Sequence, residues 1–147
     1  MRLRAIGAVV AALLAMLVTT ASTMAAPAQP VQINLHVVFL DDGGSIESFT
    51  ADGLCPSGTA ESFGFHQAGR GRATTFHLFK TLMCDGTGDT LTIRVEASFV
   101  FGTSGTVGGW SVVDGTGAFE GFRGGGSIRG VGFDGGIDDT YVGVLTR

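Results

Sequence analysis

The groups able to do chemistry in this 147-residue chain are three histidines, two cysteines, one tyrosine and thirteen carboxylates. Their spacing decides what they can do. His36, His66 and His77 stand at unrelated separations with no paired ligand nearby, so no metal site is expected. Asp134, Asp138 and Asp139 could attract a cation, although carboxylates in loops generally serve to solubilise an apolar chain. Asp85-Gly-Thr-Gly-Asp-Thr-Leu91 has the flavour of a glycine-aspartate calcium repeat, but such sites stack tandem copies and this one stands alone, so a plain turn is expected. No Gly-x-Ser-x-Gly elbow is present, and no lysine with an adjacent Ser or Thr follows the glycines to make a phosphate loop. No catalytic signature emerges, and no cofactor is called for.

Cys55 and Cys84 are the only cysteines. Their meaning depends on compartment, and the first residues supply one. Arg2 and Arg4 form a basic start, Ala5 to Val18 is an unbroken apolar run, and Thr19 to Ala28 is small and mildly polar. This is the three-part layout of a secretory signal peptide, with cleavage after Ala25 fitting best. The apolar run is shorter than the roughly 20 residues a membrane-spanning helix needs. The expectation is therefore a secreted protein with a signal peptide over 1–25, a short linker over 26–31, a single domain over 32–147, and no membrane association after cleavage. In an exported chain two cysteines read as one disulfide, which leaves neither as a free nucleophile. Without Arg2 and Arg4 the basic residues fall from nine to seven against thirteen acidic ones, a net charge of minus six. The remaining cations are scattered, so no nucleic-acid partner is expected.

The elements that position these groups are strands. Leu91, Ile93, Val95, Ala97, Phe99 and Phe101 share one parity, and Thr92, Arg94, Glu96 and Ser98 share the other. Ile33 to Phe39 alternates likewise, turns at Asp41-Asp-Gly-Gly-Ser45 and returns through Ile46 to Ala51. Phe63 and Phe65 mark a third region, and Phe76, Leu78 and Leu82 a fourth. Trp110 to Val113, Ser127 to Val131 and Thr140 to Thr146 complete the set, with glycine-rich turns between. Seven to eight antiparallel strands make a sandwich or a barrel. The length of the strand from Leu91 to Phe101 favours an all-β, eight-stranded, calycin-like barrel. His36 shares its parity with Asn34, which places it on the less apolar face, and His77 lies within a strand pattern.

Residues Val112 to Gly124 combine glycine punctuation with a fixed aromatic and a fixed arginine. Gly115 and Gly117 permit positive backbone torsions at a tight corner, Phe119 is expected to drive inward, and Arg123 can donate to carbonyls left unpaired where the ladder bends. A role for Arg123 in facing a ligand is the alternative. Gly115-Thr116-Gly117-Ala-Phe119 followed by Arg123-Gly124 resembles the Gly-Thr-Gly-x-Phe-x-x-x-Arg-Gly stretch of dirigent proteins, within the wider allene oxide cyclase-like barrel superfamily that includes small secreted bacterial members. The resemblance implies an eight-stranded barrel with a hydrophobic cavity, and an activity that steers the coupling of phenoxy radicals formed elsewhere. Phe122 stands where that family usually carries alanine, which implies a narrower cavity.

Three functions fit. The favoured one is a barrel that binds a small hydrophobic molecule, with Arg123, Phe99, Phe101, His77 and Tyr141 as candidate ligand contacts. The second is a cyclase, isomerase or coupling guide, which needs at least two ionisable groups in one pocket. The third is a structural or protein-interaction domain with a filled interior. A cavity separates the first two from the last.

Overall fold

Each alternating strand has one apolar face, and the chain buries eight such faces against one another by closing its sheet into a ring. The computed structural model describes residues 27–69, 73–100 and 105–147. The strands are β1 (Gln29–Phe39), β2 (Ser45–Asp52), β3 (Cys55–Ala68), β4 (Ala73–Cys84), β5 (Thr90–Val100), β6 (Gly105–Gly115), β7 (Arg123–Phe133) and β8 (Gly136–Thr146). Each pairs antiparallel with the next, and β1 pairs with β8, so the barrel is closed. Closure leaves no strand edge to be protected from other chains. The leader expected over 1–25 and Phe101 lie outside the described residues. β1 begins at Gln29, inside the segment expected as linker, because Val31 continues the inward parity and pairs with Gly143.

The parity read from β5 holds. Leu91, Ile93, Val95 and Ala97 are buried, Arg94 and Glu96 are exposed, and Thr92, Ser98 and Phe99 are half-buried. In β3 the expectation fails locally. The register shifts between Phe63 and His66, which puts an extra residue into the strand, and Phe63 and Phe65 no longer act as one alternating pair. Phe63 stacks on Phe79 at 5.5 Å between ring centres, and Phe65 meets Phe76 at the same separation.

One end of the barrel is packed and the other is open. At the packed end Val31, Phe49, Leu82, Leu91, Phe119 and Leu145 are all buried in one cluster. Phe119 sits on a single 3-10 turn, Gly117–Phe119, and plugs the base at 6% exposure with its ring edge against Phe122 at 5.9 Å. Of the two glycines expected to take positive torsions there, only Gly117 does so, at φ 59°. The Cys55–Cys84 disulfide ties the start of β3 to the end of β4 at this end, with Cα atoms 6.0 Å apart. It is compatible with an oxidising, extracellular setting.

Candidate functional site

Toward the other end, where β1 turns into β2, the interior opens into a cavity of about 630 Å³. Its walls include Val37, Leu78, Val95, Ala97 and Ile137, and its mouth carries Phe39, Gly43, Gly44, Phe65 and Phe76. Small-molecule pockets run from about 300 to 1,000 Å³. An eight-stranded barrel has room for one such ligand where its interior side chains are short.

The apolar wall is interrupted by a polar pole that no motif announced. Lys80 on β4 occupies the same inward parity as Leu78 and Leu82, and Glu47 on β2 the same parity as Phe49. Both are only 5% exposed. Lys80 lies directly opposite Ser62 on β3, and Glu47 lies opposite Ala60, one inward position away. The short side chain of Ala60 lets Lys80 cross to Glu47, so the three polar residues meet as diagonal neighbours on adjacent strands. Lys80 Nζ donates to Glu47 Oε2 at 2.5 Å and to Ser62 Oγ at 2.6 Å. Ser62 and Ser45 hydroxyls donate to Glu47 Oε1 at 2.6 and 3.0 Å. The carboxylate thus has donors on both oxygens, which is what keeps a buried charge tolerable.

A second group stands on β8. Asp139 and Tyr141 share its inward parity and both line the cavity. Thr106 on β6 and Asp139 are both in register with Gly130, on opposite sides of β7. A Cβ at Gly130 would overlap both Asp139 Oδ1 and Thr106 Oγ1. Because the position carries none, Thr106 reaches across β7 and donates to Asp139 at 3.2 Å. Burial pushes the Asp139 carboxyl above its ordinary value, with the Lys80 charge and the Thr106 hydrogen bond pulling the other way. Burial likewise raises the Tyr141 phenol well above 10.0, and the negative charges of Asp139 and Glu47 add to the effect. The Tyr141 hydroxyl is close enough to Asp139 to be coupled to it, yet it closes no hydrogen bond of good geometry among the described residues. Its ring meets Trp110 edge-on at 6.5 Å.

Of the candidate ligand contacts read from the sequence, the geometry brings Tyr141 to the cavity wall. Phe99 keeps the inward parity of β5 opposite Thr106 and is half-buried. Phe101 lies outside the described residues. His77 is outside the barrel, since it alternates with the inward Phe76 and Leu78, and its Nδ1 lies 3.8 Å from Glu96 on the outer face. Arg123 is exposed at the start of β7, at the packed end and remote from the cavity mouth. Among the described residues its side chain makes neither the carbonyl contacts of a corner residue nor any contact with the cavity. The glycine-rich segment therefore builds the base of the barrel. His36 is exposed on the outer face, as its parity with Asn34 implied, bonded to Asp138 at 2.6 Å and stacked on Phe133 at 5.0 Å. Asp138 and Asp139 point to opposite faces of β8, so the acidic trio does not converge, and no cluster of three potential metal ligands occurs among the described residues. Comparison with protein-family models, curated proteins and solved structures returns no match.

Proposed function

We propose that this protein is an exported carrier that binds a small, mainly hydrophobic molecule inside its barrel. One observation carries the reading: a cavity of about 630 Å³, open at one end, whose apolar wall is broken by Glu47, Lys80, Asp139 and Tyr141. An apolar wall supplies affinity without direction, and a few fixed polar groups orient the occupant. The apolar run at the amino terminus and the disulfide support export. The short Gly115 to Gly124 resemblance to dirigent-like barrels agrees with a cavity-bearing protein but places its matching residues at the base.

A second reading is that the barrel acts on its occupant as a cyclase or isomerase. Its support is that Lys80, Asp139 and Tyr141 lie in one cavity, with burial raising the Asp139 carboxyl above its ordinary value. A solid, purely structural barrel is disfavoured by the cavity itself.

Nile red, a neutral dye that brightens in apolar surroundings, tests the carrier reading. Wild-type protein should bind it, and Ala97→Phe, which places a ring in the cavity, should abolish binding while leaving the β-sheet circular dichroism intact. Equal binding by both would move the dye, and the proposed site, to the outer surface. Recovery of a chemically altered occupant after incubation would favour the second reading.

A further inference from the structure

Lys80 is the only lysine in the chain; apart from the histidines, every other basic side chain is an arginine. Lysine is normally a surface residue. This one stands on the cavity wall at 5% exposure, one inward step above the packed Leu82 and two inward steps below Phe76 at the mouth. Its charge already has a partner. Glu47 Oε2 accepts from Nζ at 2.5 Å while Oε1 accepts from Ser45 and Ser62, so an anionic occupant would have to displace a carboxylate fixed on both oxygens. The chemistry left to Lys80 is that of a nucleophile, an amine beside a base that can take its proton.

The pair suits one covalent reaction in particular. Condensation of a lysine amine with an aldehyde turns an ammonium into an iminium and releases water, so the buried positive charge is the same before and after. A counter-ion placed for the one serves the other, and no uncompensated charge is left in the interior. The hydrogen bonds also survive the change. An ammonium has three N–H donors, whereas a protonated imine has one. Glu47 is in place to accept it, and Ser62, which accepts from Nζ at 2.6 Å, still donates to Glu47 Oε1 and is not stranded. Between Lys80 and the mouth, four residues of β4 give about 13 Å of wall for the tail of the aldehyde. Leu78, Val95 and Ala97 line that stretch and Phe76 ends it.

We propose that Lys80 forms a Schiff base with a lipophilic aldehyde held in the cavity, with Glu47 first as proton acceptor and then as counter-ion. Nζ passes a proton to Glu47, its lone pair bonds to the aldehyde carbon, and the carbonyl electron pair moves onto oxygen. A second N–H proton shifts to that oxygen. Glu47 then returns its proton, water leaves with the C–O electron pair, and the nitrogen lone pair closes the C=N bond. The products are an iminium, the Glu47 carboxylate and one water. This assignment rests on the carrier reading above and gives it a ligand class.

Incubation with 4-dimethylaminocinnamaldehyde at pH 7, followed by borohydride reduction, intact mass and peptide mapping, tests the bond on the folded protein. Wild type should take up one aldehyde per chain, mapped to Lys80. Before reduction its absorption should move to the red of the free aldehyde, the mark of a protonated conjugated imine. The other amine of the chain is its amino terminus, and mapping separates the two. Ala97→Phe, which places a ring in the cavity and keeps Lys80, should lose both the adduct and the red shift. Glu47→Leu with Lys80→Met should show no red shift. Nile red bound by wild type with no adduct on Lys80, or an equal Lys80 adduct in an Ala97→Phe protein that no longer binds the dye, overturns the Schiff-base assignment and leaves a carrier without it. Absence of both dye binding and adduct overturns the carrier reading and this assignment together.

Discussion

Lys80→Met is the most informative single perturbation of this barrel, because it removes a charge and keeps nearly the same side-chain shape. Glu47 would remain inside, 3% exposed at its side chain, with the Ser45 and Ser62 hydroxyls as its donors among the described residues. Removing one partner of a buried ion pair costs about 3–5 kcal/mol, since the other charge stays buried and uncompensated. The two serine donors place the expectation near the lower end, about 3 kcal/mol. For a domain of this size each kcal/mol shifts the melting temperature by about 4 °C, so a fall of about 12 °C is expected. The double variant Glu47→Leu with Lys80→Met carries neither member of the buried pair and should return to within about 1 kcal/mol of wild type. Thermal and urea melts followed by far-ultraviolet circular dichroism on all four members of the cycle give the coupling directly. A single-variant loss below about 1 kcal/mol, or a double variant as unstable as the sum of the singles, would refute the claim that these charges are desolvated and paired.

Three further outcomes follow from the same geometry. Tyr141 is the only tyrosine, so absorbance at 295 nm reports its ionisation alone. With the folded phenol held well above 10.0, the unfolded chain loses this proton first as pH rises, and stability should fall above about pH 10 by about 1.4 kcal/mol per pH unit. In a rapid pH jump tyrosinate should appear only as the sheet signal is lost; tyrosinate forming near pH 10 with the sheet intact would contradict the burial. Asp139 is raised above 3.8 in the fold, so the stability it contributes is full below that value and is lost as pH rises through its folded pKa. The melting temperature of Asp139→Asn relative to wild type should therefore climb between pH 3 and pH 7, and a difference that is flat or reversed would count against it. Reducing the Cys55–Cys84 bond opens a loop of 29 residues and should cost roughly 3–4 kcal/mol on the chain-entropy estimate, read as a lowered urea midpoint; an unchanged midpoint would mean that the packed end holds without it.

The barrel was legible because burying one face of a strand imposes a period of two, which β1, β2, β4 and β5 show plainly, whereas the register of β3 shifts between Phe63 and His66. β6 and β7 could be read only over Trp110 to Val113 and Ser127 to Val131. The first half of β6 contains Gly105, Gly108 and Gly109, and Gly124, Gly125 and Gly126 follow Arg123 at the start of β7; these carry no side chain to alternate. The disulfide was legible because two cysteines permit one pairing. The polar pole was not read, although its signal was present in the parity of the strands. Lys80 falls between Leu78 and Leu82 on an otherwise apolar face, Glu47 precedes Phe49 and Ala51, and Asp139 precedes Tyr141. A charge on the inward parity of one strand looks like noise, but charges of opposite sign on two strands can pair across the sheet. The same test applied to His77 removes it, since it alternates with Phe76 and Leu78. Arg123 drew attention through its glycine-rich surroundings, which describe the base of the fold. No pattern along β7 could show that Gly130 is what lets Thr106 reach Asp139, because that contact depends on the register of three strands.

The division of the interior into a packed end and an open end bears on why charges are inside at all. Every strand of a closed barrel has two neighbours, so its backbone hydrogen bonds form whether or not the interior is filled. The packed end adds the Phe119 plug and the disulfide, and the open half is therefore free to depart from an apolar filling. A buried ion pair adds little to such a scaffold, since well-packed apolar residues of similar volume are commonly as stable or more so. Glu47 and Lys80 are thus poorly explained as struts. They are better explained as part of a wall that must hold a fixed polarity. Lys80 moderates the charge of Asp139, and the pairing with Glu47 keeps Lys80 in place. On this account the double variant Glu47→Leu with Lys80→Met separates the two roles: it should melt like wild type and yet bind Nile red with altered affinity, because the apolar replacement preserves the barrel and removes the pair that gives the wall its polarity. A double variant that keeps both stability and dye affinity would show that the pair is not part of the binding wall.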